Sequence, residues 1–467
     1  MKQIFCIGCL LTIMWTASSQ NVIIHGTAPG AEGRFITLST PSDLITNAGK
    51  TLAKATVDSS GKFSLPVNVD KTIPGELSID FHTGGFFIEP GKTYEVRIAP
   101  YNYSEIKELN PFINSTNLHI ELINLPLKDI NFVIGAFDGT YNAFLVENFN
   151  ALYRDHNKLL IDTLKTRIRS EIGEPTDQYV KNYIEYKLAN LIQLTQLMSP
   201  AMIGNTYFTT KPVLYENVEY MDFFNTYFSK YLTATSRILK KNDYHALFSG
   251  QEPYSALMKA LEADSIIKPE KLRELVLLKG LMEMYNTATD DQKRILAVLN
   301  TIEQNSKEKQ NRLIASNIKK ILSNLQPGTP APLFQLRNKD NSGYLKLDSL
   351  RGKVVVLNFW TSYCVGCTNE MDLIKPIAGK YKGKVAFISI SSEYSRTRMC
   401  YYVKMKKDWD WTFLHIGDQI DVLKAYDVRS LPLFVIIDKQ GNLYKYSADF
   451  PSNGLENSIE QLLQSSK

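Results

Sequence analysis

Val354–Asn369 reads VVVLNFWTSYCVGCTN. The apolar run from Val354 to Phe359 predicts a buried strand. It ends in Trp360-Thr361-Ser362-Tyr363, after which Cys364-Val365-Gly366-Cys367 opens a helix. A helix N-terminus carries unpaired backbone N–H groups and partial positive charge. A thiol placed there ionises more readily, and the thiolate is the nucleophile. The two-residue spacing lets the second sulfur reach back and close a disulfide.

Strands and helices alternate on both sides of this stretch. Before it, Gln326-Pro327-Gly328-Thr329-Pro330-Ala331-Pro332 is a stiff boundary, followed by a short strand over Tyr344–Leu347. After it come a helix from Cys367 to about Tyr381, a buried strand over Val385–Ser389, and helices over Ser395–Lys406 and Gln419–Tyr426. Leu433–Ile437 and Leu443–Tyr446 read as strands around the turn Asp438-Lys439-Gln440-Gly441, and Leu455–Leu463 as a last helix. Strand, helix, strand and then a hairpin, with C-x-x-C after the central strand, is a thioredoxin-like plan.

Upstream the chain has two other textures. Residues 20–100 are β-rich: Val22–Gly26 and Arg34–Leu38 are strand-like, Asp58–Lys62 is a turn before Phe63-Ser64-Leu65, and Glu89–Lys92 is a turn before Tyr94–Ile98. Short strands with regular turns predict a small β-sandwich. Residues 101–325 predict helices. Leu160, Leu164, Ile168 and Ile172 recur every fourth position, and a second stripe runs from Tyr179 to Met198 until Ser199-Pro200. Further helices are expected over Tyr220–Leu239, Tyr254–Ala263, Pro269–Tyr285, Asp290–Gln304 and Lys309–Leu322. The aromatics of Tyr220–Phe228 offer either a binding surface or, at helical spacing, a core; the core reading is preferred. His25, His82, His119, His156, His245 and His415 stand without a second ligand at metal spacing.

Composition narrows the function. A chain of 467 residues carries 53 basic and 48 acidic side chains, and no dense Lys/Arg run interleaves with aromatics, which argues against nucleic-acid binding. Residues 1–19 read as a secretory signal: Lys2, the apolar run Ile4–Trp15, and Ala17-Ser18-Ser19 before cleavage at Gln20. The rival is a lipoprotein signal acylated at Cys9. No later segment resembles a membrane span. With the leader removed, Cys6 and Cys9 are lost and Cys364, Cys367 and Cys400 remain. That set is too small for a disulfide scaffold and points to chemistry.

The C-terminal part, 326–467, resembles the TlpA/ResA-type thioredoxins of bacterial envelopes. The resemblance rests on Gly328–Phe334, Leu350–Trp360, the C-x-x-C pair and Tyr426-Asp427-Val428-Arg429-Ser430-Leu431-Pro432, in that order. The two upstream regions loosely resemble the N-terminal extensions of such proteins in Bacteroidetes. The resemblance implies Cys364 as attacking cysteine, Cys367 as resolving cysteine, Pro432 as a cis-proline beside the disulfide, and Glu370 as the acid near the cysteines. Leu431, with Trp360 and Tyr363, would form the substrate-docking surface; Trp360 and Tyr363 have packing around the disulfide as their other reading. Asn358 stands where cytoplasmic thioredoxins carry a buried acid. Val365-Gly366 replaces the common x-Pro pair, and Asp372 replaces a proline.

The fold class expected is therefore multidomain: a C-terminal α/β thioredoxin-like fold after a β-sandwich-like domain and an α-helical region. The function expected is an exported thiol–disulfide oxidoreductase, acting as a reductase. Its partners would be cysteine-containing envelope proteins and a membrane electron donor or acceptor, with no cofactor beyond the cysteine pair. Alternatives remain for each feature. The pair can be a permanent disulfide or half a zinc site, Glu370 a first-turn surface acid, and Cys400 an inert thiol or a third redox partner. Thr361, three before Cys364, keeps a thiol peroxidase in view, although Leu357 stands where that family has proline. A partner-binding envelope protein with a secondary redox module is the other class.

Overall fold

The computed structural model describes residues 21–80, 82–100, 117–235, 241–285, 287–340, 342–393, 395–417 and 419–465. The leader and its cleavage site lie outside the described residues. Among those described, no helix is long and apolar enough to cross a membrane.

The chain begins with β1 (Asn21–Thr27), β2 (Phe35–Pro41), β3 (Gly49–Thr56), β4 (Lys62–Asn68), β5 (Ile73–Ile79), β6 (His82–Ile88), β7 (Thr93–Ile98) and β8 (Ile120–Ile123). They form two four-stranded sheets, β4-β1-β7-β8 and β3-β2-β5-β6. Period-2 patterning explains the arrangement: in β4, Phe63, Leu65 and Val67 are buried between exposed neighbours, and in β7 Tyr94, Val96 and Ile98 are. Side chains of both sheets, including Ile24, Leu38, Leu77 and Val96, share one core. Strand β8 lies in the stretch expected to be helical. Its Ile120 and Leu122 pair antiparallel with Ile98 and Val96, so sheet structure extends past residue 100.

Among the described residues ten α-helices follow: α1 (Ile130–Tyr153), α2 (Leu159–Ile172), α3 (Gln178–Leu194), α4 (Pro200–Gly204), α5 (Val218–Tyr227), α6 (Lys241–Phe248), α7 (Pro253–Leu261), α8 (Glu270–Met284), α9 (Gln292–Asn305) and α10 (Lys309–Ser323). The aromatic stripe on α5 is core: Tyr220, Phe223, Phe224 and Phe228 are buried with Tyr186 and Phe208. The helix expected over Tyr220–Leu239 is shorter. It ends at Tyr227, and a π-helical turn, Tyr231–Thr235, swings Leu232 over Gly280 of α8. A Cβ at Gly280 would lie 2.4 Å from Leu232 Cδ1, so this crossing requires glycine. Buried Asp43 joins the sheets to α10: it accepts from the Ile45 and Thr46 backbone N–H groups and, at 2.7 Å, from Asn317 Nδ2.

The C-terminal part is a seven-stranded mixed sheet. It comprises β9 (Gln335–Asn338), β10 (Tyr344–Lys346), β11 (Val354–Trp360), β12 (Val385–Ser391), β13 (Thr412–His415), β14 (Leu433–Ile437) and β15 (Leu443–Lys445), in the order β10-β9-β13-β12-β11-β14-β15. Strands β11, β12 and β13 are parallel, and β14 runs antiparallel beside β11. Its helices are α11 (Val365–Asp372), α12 (Ile374–Lys380), α13 (Arg396–Met405), α14 (Ile420–Ala425) and α15 (Leu455–Ser465). This is the thioredoxin-like fold. Every residue of β11 is buried. Its even positions, Val354, Val356 and Trp360, enter one core with Cys367 and Met371; its odd positions, Val355, Leu357 and Phe359, enter the core on the other face. A strand buried on both faces is what an unbroken apolar run in a parallel sheet means.

Candidate active site

The site lies where β11 ends. The chain turns through Thr361-Ser362-Tyr363, with the Cys364 N–H bonded to the Thr361 carbonyl at 3.2 Å, and Cys364 becomes the N-cap of α11. Its Sγ accepts the Cys367 backbone N–H at 3.1 Å. Cys364 and Cys367 are joined as a disulfide. The two sulfurs are not equivalent: Cys364 is half-buried and flanked by Val365, which is 71% exposed, whereas Cys367 is fully buried. An attacking thiolate needs access and a stabilising donor, and a resolving thiol needs neither from solvent. The Leu431–Pro432 peptide is cis. Leu431, Pro432 and Tyr363 are half-buried, and the Arg398 guanidinium sits 5.5 Å from the Tyr363 ring centroid.

Trp360 does not belong to the docking surface. It is fully buried, with its ring centroid 5.6 Å from Trp409, 6.0 Å from Phe413 and 6.1 Å from Tyr402. The strand's parity turns it into the core that also holds Cys367, the packing alternative left open above.

Glu370 lies on α11, and both carboxylate oxygens are taken by Ser452, which donates its backbone N–H at 3.0 Å and its hydroxyl at 2.6 Å. Asn358 is buried on the Cys367 side of the sheet. Its Oδ1 accepts the Ser389 hydroxyl at 2.5 Å, and Ser389 Oγ in turn accepts Trp411 Nε1–H at 2.8 Å. A neutral amide and two neutral donors thus fill the place of a buried acid. Cys400 is a free, half-buried thiol on α13 that donates to the Lys339 carbonyl.

The acid placed against the cysteine turn is Glu393, which sequence reasoning missed. Parallel pairing of β11 with β12 runs on past both strands: the Ser392 N–H bonds the Trp360 carbonyl at 3.0 Å, which sets Glu393 opposite Ser362. Glu393 is 2% exposed and accepts the Ser362 N–H at 2.6 Å and the Ser362 hydroxyl at 3.2 Å. Burial pushes its carboxyl above the ordinary range, opposed by the Ser362 hydrogen bonds and the Arg398 charge. An acid immediately after the second parallel strand was the available signal, because sites in such sheets gather at the strands' carboxyl ends.

His415 closes the same edge on β13, paired in register with Ser391. It is buried, and its Nδ1 accepts the Gly417 N–H at 3.0 Å. Burial, aided by the Arg396 charge, pushes its pKa from 6.5 down to about 4. An unfolded His takes its proton near 6.5 and this one only near 4, so stability is complete above pH 6.5 and drains away as pH falls toward 4. The loss is up to roughly 3 kcal/mol. Replacing His415 by Gln should flatten the slope of the urea midpoint over that window; an unchanged slope would refute the assignment. Among the described residues no cluster of three or more His, Cys, Asp or Glu is placed to hold a metal ion.

A C-x-x-C pair capping a helix after the central strand of this sheet, with a cis-proline preceding β14, defines a thiol–disulfide oxidoreductase of the thioredoxin fold. Residues 327–446 match the AhpC/TSA family. Over 121 residues the chain is 31% identical to the thiol-disulfide oxidoreductase ResA of Bacillus cereus, a match spanning 26% of this chain and 68% of that protein. The thioredoxin-like protein YneN of Bacillus subtilis is 29% identical over 120 residues, 25% of this chain and 68% of its own. Among solved structures, the thioredoxin domain of a thiol-disulfide oxidoreductase from Bacteroides vulgatus aligns with 29% of this chain and 96% of its own, at 19% identity and a TM-score of 0.27. The chain belongs to the ResA-like thiol–disulfide oxidoreductases.

Proposed function

We propose that the protein is an exported reductase of cysteine-containing envelope proteins, working through Cys364 and Cys367. The observation that carries this reading is the asymmetry of the pair: an accessible Cys364 Sγ facing a helix N-terminal N–H, and a Cys367 sealed in the core. Reduced Cys364, as thiolate, attacks a partner disulfide; one partner sulfur leaves as thiolate and a mixed disulfide forms. Cys367, losing its proton, then attacks Cys364 Sγ, the intermolecular bond breaks, and the partner leaves reduced while the pair is oxidised. Two electrons pass to the partner, and a membrane donor of two electrons restores the dithiol. Tyr363, Leu431 and Pro432 seat the partner chain beside the disulfide. Glu370, held by Ser452, ties the last turn of α11 to the Pro451–Asn453 turn. Residues 326–467 are the redox module, preceded by the sandwich-like β region and the helices.

The test is a dithiothreitol titration of the full chain carrying Cys400→Ser. A potential near that of thioredoxin, about −270 mV, supports a reductase. A value near about −120 mV makes the protein an oxidant. A pair that does not titrate is a structural disulfide and ends this reading. The family match and the buried Thr361 hydroxyl, without a hydrogen-bond partner among the described residues, favour one other reading, a thiol peroxidase. Peroxide turnover by the reduced protein, faster than its exchange with disulfides, would establish it.

A further inference from the structure

We propose that Glu393 is a positioning residue for the exchange reaction, clamping the Ser362 turn through two hydrogen bonds and thereby fixing Cys364 at the start of α11. The proposal rests on the assignment of Cys364 as the attacking thiol. The geometry is closed on every side. Ser362 sits two residues before Cys364, and the Thr361 carbonyl beside it holds the Cys364 N–H. The Glu393 carboxylate accepts both Ser362 donors, while its own N–H is 3.4 Å from Ser391 Oγ at the end of β12. Glu393 is 2% exposed, so bulk solvent has little access to the carboxylate. Burying a carboxylate is unfavourable unless its hydrogen bonds compensate, so a free choice of side chain here would be apolar. The charged and titratable groups coupled to it are Arg398 of α13 and, through the Glu393 backbone, His415 of β13, which in turn faces Arg396. Arg398 stays charged, and burial keeps His415 neutral down to about pH 4, so Glu393, its carboxyl raised by burial, is the acid of this group that titrates. Its ionised form accepts both Ser362 donors. Protonation weakens the clamp, and the raised carboxyl range brings that change toward the pH at which the thiol works.

The test is the rate of iodoacetamide alkylation of Cys364 in the reduced full chain carrying Cys400→Ser, followed by mass spectrometry across pH 4–9. The expected profile has two inflections, one from the thiol and one below it from Glu393. In Glu393→Gln the lower inflection disappears, and the rate at neutral pH falls roughly tenfold, the scale of a hydrogen bond to a charged group. In Ser362→Ala one donor to the carboxylate is lost, so the lower inflection moves to higher pH. A Glu393→Gln profile with the same shape as the parent overturns the proposal, even if displaced by a constant factor. An unmoved inflection in Ser362→Ala does the same, and this variant carries the test if Glu393→Gln loses its native circular dichroism. Label that persists on Cys367 at the parent's rate in Cys364→Ser refutes the nucleophile assignment itself, a result distinct from either of these.

Discussion

Cys364→Ser reduces protein disulfide exchange to the uncatalysed background, a loss of roughly three orders of magnitude or more, the scale of removing a nucleophile. Serine keeps the N-cap, since its Oγ accepts the Cys367 N–H that Cys364 Sγ now accepts, so the fold should survive. What disappears is the thiolate, because a hydroxyl is not ionised at neutral pH. Cys367→Ser should behave differently. Cys364 still attacks, but nothing resolves the product, and a mixed disulfide with the partner accumulates. Non-reducing electrophoresis after incubation with a disulfide substrate separates the two outcomes: no adduct for Cys364→Ser, a stable adduct for Cys367→Ser. The opposite pattern would assign attack to the buried sulfur and overturn the order of steps. Equal activity of both variants would place the chemistry elsewhere in the chain.

The redox region was legible because its local signals agree with one another. The apolar run of β11 is long enough for a strand and too short for a helix of its own, and Cys364 follows it at the first point where a helix can start. Parity was legible too: with Val354 and Val356 inward on one face, Trp360 must share that face, and assigning it to the docking surface ignored the period of two. Strand β13 escaped because four residues after a Trp-rich stretch show no period. Helix α1 escaped for a different reason. Gly135 and Gly139 lower its propensity, and exposed Phe132, Val146 and Phe149 blur its stripe, so its helicity comes from the buried Ile134, Phe137, Tyr141 and Phe144 on the opposite face. Glu393 was the least legible site residue. Nothing local marks an acid after a strand as buried; that follows only from the pairing of β11 with β12, a contact between segments distant in sequence.

Trp360→Ala should be the most destabilising single change in this region, at about 3–5 kcal/mol, the cost of emptying a large aromatic site in a close-packed core. Trp360 is fully buried and edge-on to Trp409 and Phe413, and Trp409 stacks on Phe413 with ring centroids 5.8 Å apart, so the cavity would lie in the middle of an aromatic cluster with little freedom to collapse. Among the described residues its indole N–H has no hydrogen-bond partner, so none of their polar bonds is lost on substitution. Trp360→Phe should therefore cost much less, since it restores most of the apolar contact. Three of the chain's four tryptophans, Trp360, Trp409 and Trp411, lie in this region, and the fourth, Trp15, is in the expected leader. Tryptophan fluorescence during urea unfolding thus follows the redox region separately from the rest, which matters because a multidomain chain need not unfold in one step. The expected result is a large fall in the midpoint of this transition for Ala and a small one for Phe, with similar slopes. The same core holds Cys367, so a loosened Trp360 site should also expose the resolving sulfur, and reduced Trp360→Ala should alkylate at Cys367 where the parent does not. Equal midpoints for Ala and parent would mean that the cluster is not the support beneath the disulfide. A fall in midpoint with Cys367 still protected would separate the two roles, leaving Trp360 as a determinant of stability alone.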